Sequence, residues 1–119
     1  MSEVYKYSLE IILGHIQICE DRFSGIITPE DFVKTKAGNV LLDSIVIRLQ
    51  AIGENLKRML KNNPELIQKY PEIEWTKIIQ FRDFISHHYE QLDYEIVFEI
   101  CKHHLPSLKK VIDSEQKNS

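Results

Sequence analysis

The chain has 119 residues, 43% of them hydrophobic and 28% charged, which suits one folded core and leaves little room for a second. Four glycines and four prolines, with no Asn-Gly, Asp-Gly or Gly-Gly pair, disfavour sandwiches and barrels. The net charge of −3 argues against coating nucleic acid by bulk positive charge, yet residues 48–82 carry seven basic and four acidic side chains between two segments with four and seven each.

From Glu3 to about Arg22, apolar residues at Val4, Tyr7, Ile11, Ile18 and at Leu9, Ile12, Ile16 cover more than one face at helical spacing, predicting a broadly buried helix that Gly25 ends. Thr28-Pro29-Glu30-Asp31 then reads as an N-cap, a first-turn proline and first-turn acids, so a short helix is expected over about 29–36. Leu42, Ile45, Leu49, Ile52, Leu56 and Met59 step by alternating threes and fours, the stripe of a bundle helix. Asn62-Asn63-Pro64 stops it, and one or two turns fit before Pro71.

A further helix is predicted from about Ile73 to His88, with Trp75, Ile78, Phe81 and Ile85 inward. Asp93 reads as the N-cap of the last one, in which Ile96 and Ile100 lead to Pro106 and then Leu108, Val111 and Ile112. Pro106 is expected to kink or break that helix, and the polar tail over 114–119 is expected to fray. The predicted architecture is all-α: residues 1–119 form a single domain, an up-and-down bundle of four or five helices.

Cys19 and Cys101 lie far apart without a CxxC partner, so neither a zinc ribbon nor a dense disulfide framework is available. The N-terminus lacks a basic stretch, and its longest early uncharged run, residues 11–19, contains His15. A cytoplasmic location without membrane attachment is the expectation.

Reactive side chains are densest in Arg82-Asp83-Phe84-Ile85-Ser86-His87-His88-Tyr89. Asp83 and His87 share a helix face, so the carboxylate can orient the imidazole. Arg82 and His87 are five apart, about 140° round an ideal helix, and do not converge by helical geometry alone. Either the helix ends before His87, or these side chains meet partners from a second chain across a two-fold axis. An Arg and His pair suits RNA phosphodiester chemistry: the imidazole moves protons to or from the ribose 2′-OH and the leaving 5′-oxygen, while the guanidinium stabilises phosphate charge. The plainer alternative is surface ion pairs at Arg82 and Asp83, with His87 and His88 at a helix C-terminus. His87, His88, His103 and His104 lack the i, i+4 spacing of a HExxH-like site, so no metal and no cofactor is expected. His103 and His104 read as helix-end residues, and Trp75, Phe81 and Phe84 as core.

The spacing R-x4-H-x-Y, filled by Arg82, His87 and Tyr89, resembles the signature of HepT-like toxins of the HEPN superfamily. Asp43-Ser-Ile-Val-Ile-Arg-Leu-Gln-Ala-Ile-Gly-Glu54 resembles that family's helix with an Ile-Gly-Glu element. Pro71-Glu-Ile-Glu-Trp-Thr-Lys-Ile-Ile79 is similar to the segment leading into its motif helix. Leu92-Asp-Tyr-Glu-Ile-Val-Phe98, followed by Leu105-Pro106, is similar to its C-terminal segment. The likeness spans 43–117, whereas the first 40 residues match only as generic helix. Departures are Glu90-Gln91 after the tyrosine, Phe98 where many relatives have tryptophan, and Asn55.

The resemblance implies a HEPN-like homodimer whose composite cleft holds Arg82 and His87 of both chains and cuts RNA, tRNA or mRNA, without metal. Asp83 fits as the polar residue after the arginine. Glu54, beside Gly53 at the border of the apolar stripe, is a candidate buried partner of Arg82, with a half-exposed helix acid as the plainer alternative. The resemblance also implies a toxin–antitoxin pair, in which an MntA-type minimal nucleotidyltransferase silences the toxin by transferring AMP to Tyr89. Phosphates added there are expected next to Arg82, in the substrate phosphate site. The other reading is a dimeric nucleotide-binding or adaptor module that docks a nucleotidyltransferase without cutting anything.

Overall fold

The computed structural model describes residues 2–118, which form α-helices α1 (Glu3–Phe23), α2 (Lys36–Asn62), α3 (Glu65–Lys69), α4 (Trp75–His88), α5 (Tyr94–Glu99) and α6 (Leu105–Lys117), with 3-10 turns at Pro29–Phe32 and Tyr89–Gln91 and loops between α2, α3 and α4. No strand occurs among the described residues, as the periodicity requires. A wide turn, Ile100–His104, makes α5 and α6 one continuous rod, so four long rods and the short α3 form the bundle.

Neighbouring rods run antiparallel, as side-chain pairs along them show. His15 on α1 meets Arg48 on α2 while Cys19 meets Ile45. Glu20 meets Lys109 on α6 while Tyr5 reaches Glu115. Between them Leu9, Ile12, Ile16, Ile45, Leu49, Ile52, Leu56, Leu108 and Ile112 are buried, so the core follows the apolar stripe of α2. On α4, Trp75, Ile78, Phe81 and Ile85 face inward as expected. Val4 and Tyr7 stay exposed, so α1 buries one face and part of its flanks rather than two full stripes.

Four local expectations need correcting. The helix expected over 29–36 shrinks to a single 3-10 turn, Pro29–Phe32, because Thr35 caps α2 by accepting the Gly38 N–H at 2.9 Å and restarts the chain three residues later. Gly38 is required there: a Cβ would lie 2.1 Å from the Asp31 carbonyl oxygen. Pro106 does not break the last rod. Having no N–H and crowding the carbonyl four residues back, it is accommodated by the wide turn, where the Leu105 N–H bonds five residues back to Ile100. Ile96 is half exposed, and Val97, Phe98, Ile100 and Cys101 take the inward positions. The tail expected to fray continues as helix through Lys117; only Ser119 of it lies outside the described residues.

Glu115 explains that last difference. Its carboxylate is buried between rods and accepts hydrogen bonds from Tyr5 Oη (2.6 Å), Tyr70 Oη (2.6 Å) and Lys69 Nζ (2.7 Å), pinning α1 and α3 to the end of α6. Burial alone raises its pKa, but the Lys69, Tyr5 and Tyr70 hydrogen bonds outweigh that and hold it below the usual carboxylate value. No helix among the described residues is long and apolar enough to cross a membrane.

Candidate active site

The site is built where α2 and α4 cross. Gly53 allows the crossing: a Cβ there would stand 2.6 Å from the Arg82 Cβ and 3.1 Å from the Ile78 carbonyl oxygen. Next to that contact, Glu54 forms an ion pair with Arg82 Nη2, while Asp83 Oδ1 takes Arg82 Nη1 at 2.9 Å. Lys57 Nζ approaches the same Asp83 oxygen at 3.6 Å, and Arg58 Nη2 lies 3.9 Å from Glu54 Oε1. Hydrogen bonding from Arg82, with help from Lys57, holds the Asp83 carboxyl below its usual pKa. Two carboxylates therefore fix one guanidinium, whose side chain is 28% exposed, and Lys57 and Arg58 in turn approach those carboxylates. Glu54 is the partner of Arg82 that was expected, but at 44% exposure it is not buried.

The helix runs through His88, which removes the first way of reconciling Arg82 with His87: α4 does not end before the histidine. Within one chain the two functional groups stay on different sides of α4. Asp83 is engaged by Arg82 and Lys57, and among the described residues no hydrogen bond joins it to His87. His87 is exposed and shares a shallow groove with His88, Tyr89, Glu90 and Gln91. The His88 ring lies against Phe84, with centroids 5.0 Å apart, and edge-on to His87 at 6.4 Å. Phe84, expected in the core, is 42% exposed.

Tyr89 begins the 3-10 turn Tyr89–Gln91, and its hydroxyl donates to Asp43 Oδ1 at 2.7 Å, tying the end of α4 to the first turns of α2. That bond, together with desolvation and the Asp43 charge, raises the phenol pKa, so Tyr89 remains protonated through the neutral range. Asp43 escaped sequence reasoning as a site residue: it lies 46 residues away and its partner sits in an irregular turn, so no spacing rule joins them. It stands three turns before Glu54 on α2, about 16 Å along the axis. In one chain, then, the Tyr89 hydroxyl is not beside the Arg82 guanidinium.

His103 and His104 lie apart from this centre, facing Glu99 at 3.6 Å and Glu74 at 3.3 Å. Trp75 is buried, as expected, and its indole N–H donates to the Tyr70 carbonyl at 3.2 Å.

A family model described as Ribonuclease HepT-like matches residues 12–115, so more than half of α1 falls inside the match as well as the 43–117 segment up to residue 115. The probable ribonuclease HepT of Thermococcus cleftensis is 30% identical over 109 residues, covering 92% of this chain and 93% of its own. A candidate RNase of Caldanaerobacter subterraneus subsp. tengcongensis is 34% identical over 104 residues, 87% of each chain. Another, from Methanocaldococcus jannaschii, is 31% identical over 105 residues, 82% of this chain and 81% of its own. No solved structure matches at a significant level.

Proposed function

This chain belongs to the HepT-like ribonuclease family, and from that premise we propose that Arg82 and His87 are the working pair of a metal-independent endoribonuclease. The observation that carries the reading is the treatment of Arg82. A glycine at the helix crossing makes room for it and two carboxylates aim it, which is more than a solvated surface arginine needs.

His87 takes the proton of a ribose 2′-OH while that oxygen attacks the adjacent phosphorus. The new O–P bond forms as the bond to the 5′-oxygen breaks, and the His87 imidazole of a second copy of the chain gives a proton to the departing oxygen. Arg82 stabilises the charge gathering on the non-bridging oxygens. The products are a 2′,3′-cyclic phosphate and a 5′-hydroxyl.

Because α4 keeps Arg82 and His87 of one chain apart, the active unit is a homodimer in which the ends of two α4 helices share a cleft. Exposed Phe84, stacked on His88, offers apolar surface at that end. The cellular role is that of a toxin in the cytoplasm, held in check by a nucleotidyltransferase antitoxin that places AMP on Tyr89. The adduct stands next to His87, two residues away, rather than on Arg82 of the same chain, and blocks the strand through bulk and added negative charge. A substrate with 2′-deoxyribose at the mapped cut should resist cleavage, and product ends should be cyclic. Equal cutting of the deoxy substrate, or a strict Mg²⁺ requirement, contradicts the mechanism.

A further inference from the structure

The charged cluster at the α2–α4 crossing extends past the groups that the chemistry uses. Lys57 and Arg82 share one oxygen of Asp83, at 3.6 Å and 2.9 Å, which puts the ammonium beside the proposed phosphate site. An exposed ion pair of that length holds its ammonium weakly, and the Lys57 side chain is 57% exposed, so a phosphate can replace the carboxylate at little cost. Lys61 lies one turn further on the same face of α2, exposed and without a carboxylate partner among the described residues. Four residues of helix rise about 6 Å, a step comparable to that between successive phosphates of a strand.

Arg58, Arg82, Lys57 and Lys61 together outnumber Glu54 and Asp83 by two charges, in a chain whose net charge is −3.

We propose that Lys57 and Lys61 form a phosphate-binding track that holds the RNA strand along α2, one and two phosphates removed from the bond being cut. This rests on the ribonuclease reading and gives it a direction: the bound strand leaves the Arg82 centre toward the C-terminal end of α2. The ligand is the phosphodiester backbone, so the track contributes affinity without base preference.

Lys57→Gln/Lys61→Gln removes both charges while keeping good helix formers on the surface. The probe is a fluorescein-labelled, fully 2′-O-methylated RNA oligonucleotide, which lacks the attacking hydroxyl and is titrated by anisotropy across a salt series. The double variant should bind roughly tenfold more weakly near physiological salt, with a log–log salt slope shallower by about 1.4, since each lost contact to a single strand removes about 0.7. Lys110→Gln/Lys117→Gln makes the same change in net charge on exposed α6 positions and should match the parent. In cleavage assays the double variant should lose its preference for an oligonucleotide over a dinucleoside monophosphate, which has no flanking phosphate.

Affinity and slope equal to the parent's overturn the track, as does a parent that fails to bind the strand. A double variant that binds RNA normally but no longer associates with an acidic protein partner would assign the lysines to that partner and likewise overturn it. If the parent binds the strand through these lysines yet cuts no RNA, the track stands and the catalytic reading falls.

Discussion

Gly53 sits where residue-scale effects compete most openly. Replacing a mid-helix glycine by alanine ordinarily gains up to about 1 kcal/mol of helix propensity. Here the new methyl would meet the Arg82 Cβ at 2.6 Å and a backbone carbonyl at 3.1 Å, neither of them the free end of a flexible chain, so overpacking at about 1–3 kcal/mol wins. Gly53→Ala should therefore melt lower than the parent and cleave RNA more slowly; a variant at least as stable as the parent contradicts the close approach. At Tyr89, Phe keeps the ring and removes the hydroxyl that Asp43 holds. After incubation with ATP and the cognate nucleotidyltransferase, intact mass spectrometry should find an adenylyl increment on the parent and none on Tyr89→Phe. An increment on Tyr94 in both would move the acceptor and leave the ribonuclease reading in place. As candidates, Arg82, His87 and Tyr89 were legible in the sequence because they lie within eight residues at a recognisable spacing. Asp43 and Lys57 were not, because their roles arise only when α2 is laid against α4.

Among the elements, α2 was legible from its stripe alone, since burial on one face imposes the 3.6-residue period. Two features were hidden by competing local signals. Thr28 and Thr35 both cap helical turns, and the stronger start at Thr35 leaves the first only one turn. Pro106 was expected to kink or break the helix because the rule assumes a regular one, whereas one wide turn accommodates the proline and lets the rod continue without a break. The end of α6 depends on Glu115, and acid should reveal it. A carboxyl whose folded pKa lies below the unfolded value contributes stability that is fully present above the unfolded pKa and lost as pH falls through the folded one. Glu115 is lowered, and Asp31, accepting the Thr28 and Ile27 N–H groups and pairing with Lys34, is lowered to about 2. Thermal stability should fall as pH drops from about 4.5 toward 2, the unfolded values lying near 4. Glu115→Ala leaves two phenols and an ammonium without their acceptor and should cost about 3 kcal/mol at neutral pH. It should also flatten the acid dependence; an unchanged acid profile in that variant would place the titration elsewhere.

For the whole molecule, the bundle class was legible from composition and periodicity. The likeness read over 43–117 proved shorter than the family match, which begins at residue 12, because the buried face of α1 is generic in type though specific in its pairing with α2 and α6. On the proposed reading, the placement of Arg82 and His87 on different sides of one unbroken helix requires a second chain at the site. Light scattering should give twice the 14.0 kDa chain mass, and mixing Arg82→Ala with His87→Ala protein should recover part of the activity through hybrid dimers, each pairing one intact arginine with one intact histidine. A monomer that cuts RNA contradicts the shared cleft.

The central claim is tested most directly by the rate of RNA cleavage in excess EDTA for the parent, Arg82→Ala and His87→Ala. The parent should cut, and each substitution should lower the rate by at least about a hundredfold, the scale of losing a general acid–base group or a transition-state charge partner. Undiminished cleavage by either variant contradicts the assignment of these two residues.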